Sequence, residues 1–545
     1  MQPIDTIAAQ LNLSLHEWSP WGDAVGKVKL AAALDERPKT GKLVLVSAIT
    51  PTPAGEGKTT TSIGLTDGLR KRGVGAVAAL RQPSLGPTLG GKGGGAGGGR
   101  ARLEPFTQIN LGLTGDIHAI VTAHNTLASL IDNALHFGRE GASPLDARKI
   151  DFPRVLDLDD RSLRKVVVGL GGPLDGVPRE TRFDVAAASE VMAILCLARD
   201  IPDLKKRLGH IRVGKSVDGK IVTAAELAAV PGMSALLADA LRPNIVQTHE
   251  GSPALVHGGP FGNIAHGCSS VISALFALRR AEVVVTEAGF GFDLGAEKFL
   301  DIFCRTAGVW PDASVMVATL RALKLHGGVA LADCAKHDPA ALERGAKNLF
   351  HHVTTARAYG LAPVVAINAF PDDRDDEIAL LKKLCLQHEA ECVLSRVYAD
   401  GADGGLEIAD AVIQALKTPA SPPKFAYEPS DPPAVKIEKV AKLVYGATAV
   451  QLTPQAEKDL AAAEASGMGN APICMAKTHL SLSAEPKAGG LPVPHVLPIR
   501  AVRVSGGANF LVPLCGDIMT MPGLGRAPAI LRMDLADDGT VLGVK

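Results

Sequence analysis

The sequence predicts an α/β protein built on a mostly parallel β-sheet. Short, continuously apolar segments rich in Val, Ile and Ala alternate along the chain with segments of helical pattern. Uninterrupted apolar runs are typical of parallel strands that helices cover on both faces, whereas strands with one solvated face alternate apolar and polar residues. In this fold class, ligands bind at the carboxyl edge of the sheet.

The first strand–helix–strand unit is predicted near the N-terminus. "KLVLVSAI" (42–49) predicts a strand, and "TTTSIGLTDGLRKRG" (59–73) predicts a helix that ends at Gly73. "VGAVAAL" (74–80) predicts the next strand. Further buried strands are predicted at 281–289, 313–320 and 362–370.

The chain has 545 residues, which favours about three or four domains. "KTPASPPKFAYEPSDPPAV" (417–435) contains six prolines, which cannot lie in a helix interior or a central strand. This stretch predicts a linker or wrapping segment before a C-terminal domain.

Composition narrows the class of protein. The formal net charge is +0, so nothing favours a nucleic-acid partner or an acidic membrane surface. The longest uncharged run, 251–278, contains prolines and glycines and predicts buried loop and helix rather than a membrane span. A signal peptide carries positive charge near its N-terminus, where this chain has Asp5, so we expect the mature protein to begin here without a signal peptide. The eight cysteines form no C-x-x-C pair, which predicts reduced thiols in a cytoplasmic protein.

A phosphate-binding turn is predicted between the first strand and the first helix. "TPAGEGKT" resembles a Walker A loop, although Thr52 stands in place of the first glycine. In such a loop the backbone N–H groups surround phosphate, Lys58 reaches the β- and γ-phosphates and Thr59 holds Mg²⁺. The alternative is a turn with a chance Gly-Lys-Thr. The predicted ATP-binding residues are Thr52, Pro53, Ala54, Gly55, Glu56, Gly57, Lys58 and Thr59.

The base of the nucleotide is predicted to be adenine. A GTPase of the Ras type would carry Asn-Lys-x-Asp after a late strand, where this chain reads "INAFPDD" (367–373). The lysine and the fourth-position aspartate of that motif are missing, which favours ATP.

A glycine-rich stretch follows the second strand, in "RQPSLGPTLGGKGGGAGGGR" (81–100). Eight of the ten residues at 90–99 are glycine, which costs much backbone entropy to order. Because the stretch begins in a turn stiffened by prolines close to the predicted P-loop, we expect a shaped loop against a ligand rather than a flexible linker. Arg81 at its start is expected to bind a carboxylate or phosphate, with a surface ion pair as the alternative.

Other polar residues have two or more interpretations. In "LTGDIHAI", Asp116 fits an acid, an outer-shell ligand of Mg²⁺ or a helix N-cap. In "EAGFGFDLG", Glu287 and Asp293 fit a site-lining turn or a capped turn. Three further histidines are spaced too widely for a local metal site and are expected to be structural: His249, His257 and His266.

Taken together, these segments resemble the formate–tetrahydrofolate ligase family, from near residue 40 to the C-terminus. The resemblance rests on "ITPTPAGEGKTTTSIGL", "PSLGP", "TGDIHAI", "GPFGNIAHGC", "EAGFGFDLGAEKF", "ATLRALKLHGGV", "VVAIN" and "DIMTMPGLGRAP", in the family's order. It implies a P-loop NTPase-like catalytic domain (1–310), two smaller α/β domains (311–418 and 419–545) and a homotetramer. It also implies Mg-ATP as substrate and activation by a monovalent cation such as K⁺.

The family's reaction joins formate to tetrahydrofolate through formyl phosphate, releasing ADP and phosphate. By resemblance, Lys58 assists phosphoryl transfer and Arg81 holds formyl phosphate. Asp116 matches a family aspartate that assists loss of the N10 proton. Phe370 and Tyr398 match the two aromatics that bind the folate ring between them.

Four features depart from the family pattern. Gln82 replaces a glutamate beside Arg81, Arg100 replaces an aromatic residue, Tyr398 replaces a tryptophan, and 477–483 reads "KTHLSLS". An amide at position 82 cannot accept a proton as a carboxylate does.

These departures keep other functions open. One alternative is a paralogue with the same fold and ATP site but an altered substrate or lost ligase activity, for which Gln82 and Arg100 are the reasons. Another is a non-catalytic protein that binds ATP. A switch NTPase or metal-insertion protein explains the P-loop and none of the later motifs.

Overall fold

The computed structural model describes residues 1–53, 55–90 and 95–544. Ala54 of the predicted P-loop and residues 91–94 of the glycine stretch lie outside the described residues.

The α-helices of the described chain pack against a central sheet and against several small ones. In chain order they are α1 Ile4–Gln10, α2 Leu30–Ala33, α3 Lys58–Lys71, α4 Leu85–Gly90, α5 Phe106–Asn110, α6 Asp116–Phe137, α7 Glu190–Leu197, α8 Ile201–Gly209, α9 Val230–Leu236, α10 Val271–Leu278, α11 Arg305–Ala307, α12 Leu320–His326, α13 Pro339–Ala358, α14 Asp375–Gln387, α15 Val397–Asp400, α16 Leu406–Ala415, α17 Pro433–Tyr445 and α18 Pro454–Ala465.

The strands form this sheet and several small ones. In chain order they are β1 Trp18–Trp21, β2 Val25–Val28, β3 Lys42–Ala48, β4 Ala76–Leu80, β5 Gly97–Gly98, β6 Ala101–Glu104, β7 Leu145–Ile150, β8 Arg154–Leu156, β9 Val166–Val168, β10 Arg179–Thr181, β11 Phe183–Val185, β12 Arg212–Ser216, β13 Ile221–Thr223, β14 Asn244–Thr248, β15 Pro253–Val256, β16 Val283–Glu287, β17 Ala313–Ala318, β18 Pro363–Asn368, β19 Cys392–Ser395, β20 Ala449–Leu452, β21 Val496–Ile499, β22 Ala501–Ser505, β23 Phe510–Leu514, β24 Asp534–Leu535 and β25 Val541–Leu542.

The central sheet is mixed and mostly parallel. Its main path runs β1-β2-β14-β15-β4-β16-β3-β17-β18-β19, and β6 joins it through β14. From β15 to β19 every neighbouring pair is parallel, whereas the strands between β1 and β15 pair antiparallel. The expected α/β class is confirmed, together with a large sheet and several small ones. Strands β17, β18 and β19 of the predicted 311–418 domain continue this same sheet, and the border at residue 310 stays a prediction.

Strand β3 shows why the buried strands are apolar at every position. Val44 and Val46 face one core, which includes Leu65 of α3 and Val412 of α16. Leu43 and Leu45, which point the other way, belong to a larger core on the opposite face. Both faces of the strand are therefore buried, as the continuous apolar run predicts.

The strands of the site are predicted at the correct places, but the predicted segments continue past the carboxyl ends of the observed strands. The segments predicted at 281–289 and 362–370 contain β16 and β18, which end earlier, at Glu287 and Asn368. The apolar residues that follow, Gly289 and Phe370, already belong to loops at the carboxyl edge. Helix α3 begins at Lys58 and ends at Lys71, and Gly73 follows it with a φ of +83°.

The proline-rich stretch has little regular structure. It joins α16 to α17, which begins at Pro433, and residues 416–432 form neither helix nor strand. No helix in the described residues combines the length and the apolar character needed to cross a membrane.

Candidate functional site

The predicted P-loop is the turn between β3 and α3. Gly55 and Gly57 have φ angles of +77° and +81°, a region that favours glycine, and α3 begins directly at Lys58. A Cβ atom on Gly57 would lie 2.3 Å from Nδ2 of Asn368, at the end of β18. That same Nδ2 donates to the carbonyl oxygen of Glu56 at 3.0 Å. Asn368 therefore holds the loop closely, and the turn accepts only glycine at position 57.

Charges of both signs lie close together in this loop. Glu56 is buried, and burial raises the pKa of its carboxyl, although Lys58 and the N–H and hydroxyl of Thr52 act in the opposite direction. Burial likewise lowers the pKa of Lys58, while Glu56 and Glu287 partly offset this effect. An anionic ligand beside Lys58 would favour the charged form of its amine and so oppose this effect of burial.

Glu287 connects the P-loop to Arg81. It stands at the end of β16, next to β3, and is 2% exposed. The Thr59 hydroxyl donates to its Oε2 at 2.7 Å, and Nη2 of Arg81 donates to its Oε1 at 3.3 Å. One buried carboxylate thereby orients the residue expected to hold Mg²⁺ and the arginine expected to hold the acyl phosphate.

Arg81 lies in a narrow space. A Cβ on Gly289 would lie 2.8 Å from its Nη1, so glycine leaves room for the guanidinium. Its Nε is buried without a hydrogen-bond partner among the described residues. Arg81 also contributes to the lowered pKa of Lys58, which places these two cations near each other. Arg81 does form an ion pair at the strand end, as the second interpretation from sequence expects, but its partner Glu287 is buried rather than at the surface. Binding of a carboxylate or phosphate by Arg81 stays a prediction.

Gln82 makes no hydrogen bond to Lys58, Arg81 or Glu287 within the residues that the structure describes. It is 2% exposed, and its Nε2 makes a long contact of 3.5 Å to the carbonyl oxygen of Gly112. Its Oε1 is buried and has no partner in the described part of the chain. The backbone N–H of Gln82 donates to the carbonyl of Gly258 at 2.6 Å.

The floor of the P-loop is a polar network around Thr50. His326 donates from Nε2 to the Thr50 carbonyl at 2.8 Å and accepts the Gly490 N–H at Nδ1, so its ring is neutral. Asn348 contacts both the N–H and the hydroxyl of Thr50, at 3.1 and 2.8 Å. Nε2 of His352 lies 3.0 Å from the same hydroxyl, and burial lowers the pKa of His352 to about 3.

A buried ion pair joins the C-terminal part of the chain to this floor. Nζ of Lys477 lies 2.9 Å from Oδ2 of Asp293, and neither side chain has measurable exposure. Asp293 also lies within the electrostatic range of Lys58. The segment "KTHLSLS" therefore keeps its lysine in a structural role, and His479 stacks on Phe290 with ring centroids 4.7 Å apart.

Asp116 is fixed by a different set of contacts. Its Oδ1 lies 2.7 Å from Nζ of Lys27, and its Oδ2 accepts from Nδ2 of Asn244 at 2.7 Å. Gly115 occupies the N-cap of α6 and Asp116 is the first helical residue, so the N-cap interpretation is wrong. Within the described residues, no hydrogen bond or ion pair joins Asp116 to Lys58 or Arg81.

Phe370 and Tyr398 line one cavity, as the resemblance implies. This aromatic cavity has a volume of about 670 Å³, and its wall includes Gly55 and Gly57 of the P-loop. The guanidinium of Arg321 covers one face of the Phe370 ring, at 4.0 Å from the centroid. The cavity therefore opens directly onto the predicted phosphate site.

The end of the glycine stretch supports Tyr398. A Cβ on Gly99 would lie 2.2 Å from the Tyr398 carbonyl oxygen, and one on Gly98 would lie 3.2 Å from its ring. The N–H of Arg100 donates to that same carbonyl at 2.9 Å. The end of the stretch thus packs against Tyr398, and a ligand contact of the loop stays a prediction. The Arg100 side chain is exposed and lies 3.9 Å from Glu250.

Metal ligands are sparse around this site. The described residues contain no group of three His, Cys, Asp or Glu side chains arranged to hold a metal ion. The oxygens of Thr59 and Glu287 are nevertheless hard donors of the kind that Mg²⁺ takes beside phosphates. His257 bonds Ser270 and the Ala240 carbonyl, in agreement with a structural role.

The sequence indicated Lys58, Arg81 and Glu287, each of which follows or ends a local element. It missed the residues that hold Asp116, Phe370, Thr50 and Asp293 in place from distant parts of the chain. Their signal is weak because nothing in the local pattern marks them: Lys27, Asn244, Arg321, His326, Asn348, His352 and Lys477.

Comparison with known proteins covers the whole chain. A model of the family "Formate--tetrahydrofolate ligase" matches residues 1–545. The formate–tetrahydrofolate ligase of Myxococcus xanthus is 51% identical over 547 residues, covering 100% of this chain and 99% of the relative. The corresponding proteins of Beijerinckia indica and Paracoccus denitrificans are 50% identical over 545 and 544 residues, covering 100% and 99% of this chain and 98% and 97% of the relatives.

Proposed function

The chain belongs to the formate–tetrahydrofolate ligase family, and from this premise we propose that it ligates formate to tetrahydrofolate with ATP. The products are 10-formyltetrahydrofolate, ADP and phosphate. One observation carries the assignment of residues: the aromatic cavity and the P-loop share Gly55 and Gly57 in their walls. A flat ring bound in this cavity lies next to a phosphoryl group bound on the loop.

Formation of formyl phosphate requires two anions to come together. Formate is a poor acyl donor, and its attack on the γ-phosphoryl group of ATP turns it into a mixed anhydride. Catalysis of such a transfer depends on positioning and on stabilising negative charge. Lys58 and Arg81 supply positive charge, and Glu287 orients Arg81 and Thr59 by hydrogen bonds to both. The Thr59 hydroxyl would hold Mg²⁺, which would supply charge neutralisation on the phosphate oxygens.

Arg81 is the residue that retains the acyl phosphate. A guanidinium presents parallel donors that match a carboxylate or phosphate, and Arg81 keeps donor capacity beyond its bond to Glu287. The N–H groups of the P-loop and the start of α3 stabilise the phosphate end of the same intermediate.

The second step is attack by N10 of tetrahydrofolate on the formyl carbon. Phe370 and Tyr398 bind the pterin ring between them, and the P-loop wall brings N10 towards the acyl phosphate. Release of the N10 proton requires a base. Asp116 stays a prediction for this role, and its ion pair with Lys27 and bond to Asn244 fix its position.

The rival proposal is a paralogue with an altered substrate or no ligase activity. The buried, unpartnered Oε1 of Gln82 favours it, because a carboxylate at this position would present charge where the amide does not. Arg100 supports it less, since its side chain faces Glu250 and solvent. Turnover of the unchanged chain with formate and tetrahydrofolate, equal to that of Gln82→Glu, would contradict this rival.

The decisive experiment is a coupled assay at fixed ATP and tetrahydrofolate, first without formate and then with it. We expect 10-formyltetrahydrofolate and ADP to form only after formate is added. Absence of product at saturating substrates and K⁺ would reject ligase activity. In Arg81→Ala we expect turnover to collapse while ATP binding, measured by calorimetry, persists. Unchanged turnover in that variant would refute the role of Arg81.

Several finer features remain proposals. We propose a P-loop NTPase-like domain over 1–310 and smaller α/β domains over 311–418 and 419–545. We also propose a homotetramer, and light scattering would measure its mass.

Activation by K⁺ follows from the family, and replacing K⁺ with tetramethylammonium in the assay tests it. Cytoplasmic location rests on the cysteine pattern, and all eight cysteines are free thiols in the structure.

A further inference from the structure

Of three arginines on or beside residues of the aromatic cavity, only Arg396 lines its wall, and the three differ in their partners. Arg321 is paired with Asp372 and lies over the Phe370 ring. Arg374 is paired with Asp376, with Nε 3.1 Å from Oδ1. Arg396 lines the cavity, is exposed, and has no hydrogen bond or ion pair through its guanidinium in the described residues. It is therefore available to a ligand.

The backbone of Arg396 is held firmly although its side chain is free. Its N–H donates to the carbonyl of Gly404 at 3.0 Å, and its own carbonyl accepts from Asp400 at 2.9 Å. A Cβ on Gly404 would lie 2.4 Å from the carbonyl carbon of Arg396. Because Ser395 before it ends β19 in the buried sheet, the arginine starts from a fixed point two residues before Tyr398.

The other charges in the cavity wall are negative. Asp373 accepts the Phe370 N–H at 2.8 Å, and burial raises the pKa of its carboxyl. Asp400 also lines the cavity. Arg396 is thus the one cation in the described wall. Arg100 lies behind Tyr398, outside this wall, and faces Glu250 instead.

Tetrahydrofolate has matching chemistry at its two ends. Its pterin ring is uncharged, whereas its glutamate tail carries carboxylates, which a cation at the cavity wall would bind by charge-assisted hydrogen bonds. We propose that Arg396 binds a carboxylate of this glutamate tail and is the residue that makes the cavity select an anionic acceptor. This inference rests on the proposed function, because it takes the ring between Phe370 and Tyr398 as given.

The test is a cycle that combines a change in the protein with a change in the ligand. The probes are tetrahydrofolate and an analogue whose glutamate carboxylates are both carboxamides. For the unchanged chain we expect the KM of the analogue to exceed that of tetrahydrofolate about tenfold, as for loss of one charge-assisted hydrogen bond. In Arg396→Met the KM of tetrahydrofolate should rise to that of the analogue, with kcat nearly unchanged. Arg396→Lys should restore part of the difference.

Arg374→Met is the matched control, since this arginine is nearby, exposed and already paired with Asp376. It should keep the ratio of the two KM values. A ratio that stays the same in Arg396→Met, or an equal rise of both KM values, would overturn the proposal. Dissociation constants of both probes, measured by calorimetry without ATP, give the same cycle independently of turnover. Failure of the ligase reaction alone would therefore refute the proposed function and leave this cycle interpretable.

Discussion

The two halves of the site are built differently. The phosphate half comprises the P-loop (52–59), Arg81 and Glu287, and buried charges brace it from three strands. The ring half comprises Phe370 and Tyr398. The guanidinium of Arg321 packs on the Phe370 ring, and the backbone of Gly98 and Gly99 packs on Tyr398. Glu287 is 2% exposed, whereas Tyr398 is 58% exposed.

This difference matches what each half is proposed to bind. Stabilising the charge that develops during phosphoryl transfer requires dipoles and charges that are oriented before the reaction. If these groups had to reorient in the transition state, their reorganisation would raise the activation free energy. A flat ring that enters and leaves needs an open face and a stacking partner instead. Changes in the phosphate half should therefore affect kcat strongly, and changes in the ring half should affect KM moderately.

The largest effect is expected from Lys58→Met. Loss of this positive charge should lower kcat by about 10³-fold or more, because no other ammonium group in the described loop takes its place. Steady-state release of ADP measures it. Lys71→Met, at the exposed far end of the same helix and paired with Asp403, is the control and should behave like the unchanged chain. If kcat fell less than tenfold in Lys58→Met, the proposed contrast between the phosphate half and the ring half would be contradicted.

Glu287→Gln should come next. The amide keeps the shape but removes the charge that orients Arg81 and Thr59, so kcat should fall by roughly 10²-fold and more Mg²⁺ should be needed for half-maximal rate. Titration of Mg²⁺ at saturating substrates measures both. Glu282→Gln, exposed just before the other end of β16, should change neither quantity. Equal behaviour of the two variants would show that Glu287 is only structural.

Tyr398→Ala tests the ring half. Loss of one stacking face should raise the KM for tetrahydrofolate about tenfold and change kcat much less. Tyr398→Trp keeps a stacking face and should stay within about threefold of the unchanged chain. If alanine and tryptophan gave the same KM, stacking at this position would be excluded.

The smallest effect concerns pH and the floor of the phosphate half. Burial lowers the folded pKa of His352 to about 3, while the unfolded pKa is about 6.5. The unfolded state thus binds more protons between these values, and stability falls as pH drops below about 6.5. At pH 5 this one histidine accounts for a loss of about 2 kcal/mol in the free energy of unfolding.

In His352→Gln the fall of Tm between pH 7.5 and 5 should therefore be shallower than in the unchanged chain. Calorimetric scans across this range measure the slope. His118→Gln replaces an exposed histidine and should leave the slope as it is. A steeper slope in His352→Gln would contradict the assignment, because it would require this histidine to be protonated in the folded state.

The two halves of the site could be predicted from the sequence by different kinds of evidence. The strand, turn and helix that carry Lys58 are contiguous, so their order is visible in the local pattern, and the fold class follows from the apolar runs. Phe370 and Tyr398 were indicated by family resemblance and not by their surroundings. Strand ends were extended at 362–370 because apolar residues continue past the last ladder position into the cavity.

What the sequence does not reveal is the long-range polar support. Lys27 and Asp116 are 89 residues apart, Asp293 and Lys477 are 184 apart, and Thr50 and His352 are 302 apart. No periodicity marks such pairs, since each partner looks locally like an ordinary polar residue of a helix or loop. They become visible only once the sheet order brings their elements together.

The Asp293–Lys477 ion pair limits how the chain can be divided. A fragment that stops before residue 477 would keep every residue of the phosphate half and still lose the counterion of a fully buried carboxylate. An uncompensated buried charge of this kind costs about 3–5 kcal/mol, a large share of the stability of a typical domain. A fragment of the chain that contains Asp293 must therefore also contain Lys477. The same holds for a chimaera in which a relative supplies the C-terminal part: it must keep a lysine at this position.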